Sequence, residues 1–333
     1  MMKLKGFTIV EMMIAISLGA LLIASVSAIY VSNKTTYIVQ QALARLQENG
    51  RFAAFSIARE LRMAGYSGCA NLNNIVVTNL TGNAIVYNFD RPIEGFEGSG
   101  GTFDPVLPAN LTGLPIDNSD VLVIRSGSST GVQLSAPMAQ PDEAITVYDR
   151  LTINADTAML ITDCSIGDVF IASAGSNNTN ITHSTTTNSS DNLSIAYGTN
   201  ANVMIFNYFA YFVADTGRLN EANQPITALI RVDKDGNQLE IAEGVEQMQI
   251  IYGIDTDGDN TTDSFMTASQ VEASNNWSNV LSAQIRLLMA TSEEINDKPV
   301  SYTFNNTTIT PTDHKLRKEW DLFVTFRNRG MPT

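Results

Sequence analysis

The sequence predicts an α+β fold, in which one long N-terminal helix packs on an antiparallel, β-rich head. Three observations carry this. Residues 7–31 form an almost uncharged apolar run, residues 43–64 repeat apolar positions at helical spacing, and the chain beyond residue 68 breaks into short runs rich in Val, Ile, Phe and Tyr. The divisions implied are a helix over 7–64 whose part 7–31 crosses a membrane, preceded by a short segment at 1–6, and an extracytoplasmic head over 65–333.

From Phe7 to Val31 the sequence reads FTIVEMMIAISLGALLIASVSAIYV, with Glu11 as its one charge. At 1.5 Å rise per residue this helix spans about 37 Å, more than the roughly 30 Å of bilayer hydrocarbon. Lys3 and Lys5 precede the run, so the positive-inside rule puts the N-terminus in the cytoplasm and the rest outside. An ordinary secretory signal has a shorter apolar core and a small-residue cleavage site after it. Here the small residue, Gly6, comes before the run. A plain anchor leaves Glu11 unexplained, because a carboxylate inside the bilayer is costly and calls for a partner.

Helical periodicity continues beyond the apolar run. Leu43, Leu46, Gly50, Ala53, Ile57, Leu61 and Ala64 are three or four residues apart and mark one helix face, while most charges fall off it. No proline occurs before Pro92, and Gly65 and Gly68 supply the stop. The predicted helix is about 87 Å long. Its first half is apolar all round and its second half is amphipathic, so the head must pack on the second half.

The head reads as strands at Asn74–Thr78, Ala84–Phe89, Val121–Arg125, Ile145–Tyr148, Met159–Thr162, Val169–Ala172, Val203–Val213, Ala228–Val232, Met248–Gly253, Leu281–Ala290 and Leu322–Phe326. No βαβ rhythm and no internal repeat is visible. The stretch SAGSNNTNITHSTTTNSSDN, Ser173 to Asn192, is nearly free of apolar residues and reads as a surface loop.

Twenty Lys and Arg oppose 34 Asp and Glu, a formal charge of −14, and charged residues make up only 16% of the chain. About 25% is usual. Polarity comes instead from Asn, Thr and Ser, which suits an exported surface. The acidic balance argues against nucleic acid as a partner, since a phosphate-binding face needs clustered Lys and Arg; Lys315, Arg317 and Lys318 are a local exception. Cys69 and Cys164 are the only cysteines. Outside the cytoplasm a disulfide between them is expected, and a loop near 100 residues sets a ceiling of about 4.7 kcal/mol on its stabilisation.

Asp255, Asp257, Asp259, Thr261 and Asp263 occupy positions 1, 3, 5, 7 and 9 of a calcium-type loop, with Thr261 offering its carbonyl. Hard carboxylate oxygens suit Ca2+, the one cofactor expected. Position 12 is Met266 and position 6 is Asn260, and the flanks read as strands, so this is not an EF-hand. A plain Asp/Gly turn is the competing reading. The shorter Asp233–Asn237 segment reads as a hairpin turn. No motif for a nucleophile, a phosphate loop or a zinc protease occurs. The two histidines, His183 and His314, read as surface residues, and Trp277 and Trp320 as core or interface anchors.

Gly6-Phe7-Thr8-Ile9-Val10-Glu11 resembles the class III signal of type IV pilins and type II secretion pseudopilins. The resemblance implies that a prepilin peptidase cuts between Gly6 and Phe7 and methylates the new Phe7 amine. It also implies that Glu11 pairs with the N-terminal amine of a neighbouring subunit during assembly. Many major pilins carry a proline within this helix, and its absence points toward a minor pilin or a pseudopilin.

Gly244-Val245-Glu246, Met248-Gln249-Ile250, Tyr252 to Asp259, Trp277 to Val280, Ile285 to Leu288 and Phe323 to Arg329 are similar to segments of the type IV pilus assembly family PilW. That similarity implies a non-enzymatic minor pilin that primes assembly and sits in the tip complex, supporting adhesion or motility. Its implied partners are other minor pilins, the major pilin, the prepilin peptidase and a large tip adhesin. Its implied location is the inner membrane of a bacterium before assembly and the pilus tip on the cell surface afterwards. The nearest alternative is a pseudopilin of a type II secretion system. A tip-located ligand-binding module is another.

Overall fold

A computed structural model describes residues 8–69, 75–83 and 85–328. Helix α1 runs unbroken over Ile9–Met63. Thr8 is its N-cap, and with Glu11 it forms a capping box that satisfies amide groups the first turn would leave bare. Ala64 closes the other end, and Gly65 follows at φ +69°, a conformation glycine adopts without a Cβ penalty.

The strands in chain order are β1 (Val76–Asn79), β2 (Ile93–Ser99), β3 (Thr102–Asp104), β4 (Val121–Gly127), β5 (Val132–Gln133), β6 (Ile145–Thr146), β7 (Ala158–Thr162), β8 (Ile166–Ile171) and β9 (Asn180–Ile181). They continue with β10 (Asn202–Leu219), β11 (Pro225–Asp233), β12 (Gln238–Glu243), β13 (Val245–Ile254), β14 (Ser264–Met266), β15 (Val280–Ala290), β16 (Tyr302–Phe304), β17 (Thr307–Ile309) and β18 (Arg317–Thr325). A short helix, α2 (Ala268–Ala273), lies between β14 and β15.

Among the described residues these strands build two main sheets. The larger follows the order β1-β8-β7-β10-β4-β2-β3, with β5, β11 and β12 attached through β10. Strand β10 is its hub. Asn202–Ile205 pair with β7, Phe206–Tyr211 with β4, and Phe209 onward with β11. The smaller sheet has the order β14-β13-β15-β18 and is antiparallel throughout.

The second half of α1 lies against the smaller sheet. Leu46, Ala53, Ile57, Leu61 and Ala64 are buried, in one cluster with Ile285, Leu287, Met289 and Val324, and Trp320 and Leu322 pack against it. Gly50 marks the closest approach. A Cβ there would meet Trp320 at 2.9 Å and Met289 at 3.4 Å. Fourteen residues further on, the Asn328 amide donates to the Ala64 carbonyl at 2.9 Å. From Gly50 to Ala64 the helix rises about 21 Å, while Trp320 to Asn328 covers about 26 Å of extended chain. Strand β18 therefore runs beside α1 in the same direction. The first half of α1 has no such cover, and residues from Ile9 to Val31 are almost all exposed.

Two sequence expectations need correction. Val86, Tyr87 and Phe89 are buried, but they sit in turns and not in a strand. The Asn83 side chain accepts the Ile85 and Val86 amides, and the carbonyls of Ile85 and Val86 accept from Arg125, so side chains replace a ladder. Ala84, the start of that expected strand, and Asn74, the start of the first, lie outside the described residues. Segment 173–192 is anchored, and contains β9. Ile181 is fully buried, and Asn188 bonds both backbone groups of Ile171. Its Asn, Ser and Thr side chains satisfy backbone groups where apolar burial is scarce.

Overpacking a filled core costs about 1–3 kcal/mol. Gly50→Leu should therefore lower the unfolding free energy of the detergent-solubilised full chain by at least that range, measured by guanidinium denaturation. An unchanged midpoint would mean that Trp320 can move aside freely.

Candidate functional site

The apolar half of α1 positions the first candidate. Gly6 and Phe7 lie outside the described residues. Glu11 sits in the first turn, where its carboxylate accepts the Thr8 amide at 2.9 Å and the Thr8 hydroxyl at 3.0 Å. The carboxylate is thus held close to the start of the helix, on a segment that nothing else among the described residues covers.

At the opposite end of α1, Cys69 and Cys164, 95 positions apart in sequence, are joined in a disulfide. Thr162 Oγ1 accepts the Cys164 amide at 3.0 Å at the turn between β7 and β8. The bond ties the segment leaving α1 to the larger sheet.

The acidic loop follows β13. Asp255, Asp257 and Asp263 bring carboxylate oxygens within 4.8 Å of one another, with Asp255 buried and the other two exposed. Asp255 accepts the amides of Gly258 and Asn260, and Asp263 accepts the Thr256 amide and hydroxyl. Those Thr256 bonds hold the Asp263 carboxyl below the usual range. Five residues were expected to converge, and the structure gathers three. Asp259 turns instead to the amide and hydroxyl of Thr261. The three carboxylates could hold a cation, because oxygen donors on a polar loop suit a hard ion.

A polar pin that the sequence reading missed joins the two sheets. Asp120, at the head of β4, is 4% exposed. Its carboxylate accepts the Ile250 amide at 2.7 Å and the Gly98 amide at 3.1 Å. Beside it, the Met248 amide donates to Ser119 Oγ at 3.0 Å, and the Asp120 amide to the Met248 carbonyl at 2.8 Å. One strand end thereby holds β2 and β13 together. Burial pushes the Asp120 carboxyl up to about 7, against the two amides that favour its anion, and Glu97 adds to the rise. The only sequence cue was a polar Asn118-Ser119-Asp120 triplet before an apolar run.

Two further expectations fail. His183 is buried, not on the surface, with its ring nitrogens 2.9 Å from the Asp191 carbonyl and 3.0 Å from the Glu143 carbonyl. Lys315 and Arg317 do not form a free basic patch. Arg317 is paired with Glu246 and Asp313, and buried Lys315 lies 3.7 Å from Glu246. Trp277 is buried with its Nε1 donating to Glu272, and Trp320 packs on α1, both as anchors.

Two family models match the chain. One, the prokaryotic N-terminal methylation motif, covers residues 1–27. The other, type IV pilus-assembly protein W, PilW, covers residues 210–328. The chain thus resembles the PilW family over its last third and prepilin-like proteins at its N-terminus. The PilW match runs from the second half of β10 to the end of β18. It therefore includes the small sheet, the acidic loop and the wall that α1 packs against. The larger sheet before residue 210 lies mostly outside it. No curated protein and no solved structure matches significantly. The two matches together support a type IV pilus-related pilin, and pilin-family domains are structural in kind.

Folding raises the Asp120 carboxyl from its ordinary 3.8 to about 7, so the folded chain binds that proton more tightly than the unfolded one. The resulting stabilisation is full below about pH 4 and is lost as pH rises through about 7. One pH unit corresponds to about 1.4 kcal/mol. The difference in unfolding free energy between the native chain and Asp120→Asn should therefore fall by roughly 2–3 kcal/mol from pH 5 to pH 7. Guanidinium unfolding across that range reads it. A constant difference would show that Asp120 does not titrate there.

Proposed function

We propose that this chain is a minor pilin that primes type IV pilus assembly and takes its place in the tip complex, where it supports adhesion or motility. The observation that carries this reading is the division of α1. Its first half is apolar and uncovered, while its second half is the spine of a head whose small sheet falls within the PilW match. A helix bare over 20 or more residues suits a bilayer first and a bundle of like helices afterwards. The chain works by assembly, with no chemical turnover.

In this reading a peptidase cuts between Gly6 and Phe7 and methylates the Phe7 amine. Glu11 then exchanges its bonds to Thr8 for the amine of a neighbouring subunit. In a low-dielectric bundle the opposite charges offset each other's desolvation, and removing one of them is strongly destabilising. Other minor pilins, the major pilin and a large tip adhesin are the partners. The cytoplasmic N-terminus and the final site at the tip are parts of the same proposal. The acidic loop takes Ca2+ through Asp255, Asp257 and Asp263, as a brace on the far end of the small sheet.

Mass spectrometry of sheared surface filaments and inner membranes from the native host tests the reading. A methylated peptide beginning at Phe7 in the filament fraction is expected. The same peptide confined to the inner membrane would favour a secretion pseudopilin, and an N-terminus at Met1 would overturn the pilin role.

Losing one partner of a buried ion pair costs roughly 3–5 kcal/mol. Glu11→Ala should therefore leave cleavage intact and lower incorporation into filaments by about a hundredfold or more. Quantitative blotting of sheared filaments measures this, and normal incorporation would remove Glu11 from the mechanism. For the loop, calcium at 100 times its dissociation constant would add about 2.7 kcal/mol. Chelation should accordingly lower the melting temperature, and Asp257→Ala should abolish the dependence. A melting curve indifferent to chelator would leave a plain turn.

A further inference from the structure

We propose that the outer face of α1 between Glu48 and Arg62 docks the acidic end of the head of a second copy of this chain. The proposal rests on the pilin reading above and names a contact within it. Glu48, Arg51, Phe52, Phe55, Arg59 and Arg62 recur at helical spacing on the side of α1 turned away from the sheet, and all six are exposed. Phe52 is 54% exposed and Phe55 60%. Large aromatic side chains left bare on a folded surface mark a place of contact. Two shallow hollows lie along the face, of about 400 and 540 Å³, and both are lined by Glu48 and Arg51. Lys318 of β18 lines the second hollow and adds to the positive charge.

The face is basic in a chain that is otherwise acidic. Beyond Gly65 the sequence carries 31 Asp and Glu against 13 Lys and Arg. Among the described residues Arg51 and Arg62 make no ion pair, and Arg59, paired with neighbouring Glu60, keeps a side chain 60% exposed. Basic side chains with no partner, flanking apolar rings, fit an acidic protein surface. The apolar rings form the centre of such a contact and the charges its rim.

The head itself supplies that surface. Arg218 bonds Glu240 at 2.6 Å and Glu243 at 2.9 Å. The Glu221 amide donates to the Glu293 carboxylate, and Gln224 donates to Glu294. Two carboxylates thus hold Arg218, and Ser292, which donates to Glu243, links them to the adjoining Glu293 and Glu294. Glu243 and Glu293 line a cleft shared with helix residues from Ile38 to Asn49, so this acidic end sits beside an earlier stretch of α1 than the basic face does.

The offset sets the geometry. The middle of the cleft and the middle of the basic face are about 17 Å apart along the helix at 1.5 Å per residue. A second copy that places its acidic end on this face must stand farther along the axis by about that distance. The two patches are different surfaces, so the contact is heterologous. It leaves a fresh acidic end and a fresh basic face at either side and does not close on itself.

The test uses the full chain in its native host, as two copies with different tags, one carrying a photo-crosslinking benzophenone amino acid at position 55. Illumination of membranes and sheared filaments should give an adduct with a peptide of the other copy that contains Glu293 and Glu294. The triple variant R51E/R59E/R62E should reduce that adduct about tenfold or more, as expected for reversed charges at a rim. Giving the other copy E240K/E293K/E294K should restore it. All six changes are at exposed or half-buried positions, and the restored pair guards against misfolding as the cause of loss.

An adduct with lipid or with a different protein would overturn the proposal, as would an adduct unaffected by charge reversal. The N-terminal peptide is read in the same samples. Filament-located chain beginning at Phe7 but giving no adduct overturns the docking alone. A chain beginning at Met1 overturns the pilin reading with it.

Discussion

Between Leu46 and Ala64 one helix face is made of Leu, Gly, Ala and Ile, and it is long enough to need a wall of matching length. The small sheet is that wall, through Ile285, Leu287 and Met289 of β15 and Trp320, Leu322 and Val324 of β18. Gly50 lets the helix come close enough for Trp320 to lie against its backbone. Once this contact is fixed, other features follow. The acidic loop is placed at the far end of the sheet, and the Glu243 end is tied to Asn49, whose side chain donates to the Glu243 carbonyl at 3.0 Å. The large sheet is then held by the disulfide near Cys69 and by Asp120 between β2 and β13.

The helix and its buried face were legible because an apolar run over 7–31 is followed by an unbroken helical period over 43–64, and no proline interrupts either. Long strands such as β10, β13 and β15 were legible for the same reason: each carries enough Val, Ile, Phe and Tyr to mark itself. Short strands were not. Strands β2 and β3 flank a Gly-rich turn at Gly100 and Gly101, and β16 and β17 are three residues each. Val86 to Phe89 misled in the opposite way, since apolar composition reported burial but not hydrogen bonding. There the deciding partner was Arg125, forty residues away in sequence.

The candidate sites divide along the same line. Glu11 and the cysteines could be found because each is rare in its setting: one charge in an apolar run, two thiols in the whole chain. The loop from Asp255 to Asp263 could be found by spacing, but spacing did not tell that Asp259 turns to Thr261. Asp120 and His183 escaped because their roles depend on backbone groups supplied by distant strands and loops. A residue type alone carries no trace of an amide or a carbonyl that arrives from elsewhere in the fold.

Strand β18 runs beside α1 in the same direction and is joined to β15 by nine register pairs, from Ser282 with Thr325 to Ala290 with Arg317. Tension on the apolar half of the helix therefore acts along the strand and across its hydrogen bonds. In that geometry the whole ladder bears the load together, whereas a pull at right angles would open it one bond at a time. The parallel course of helix and strand gives the head mechanical strength along the axis of α1.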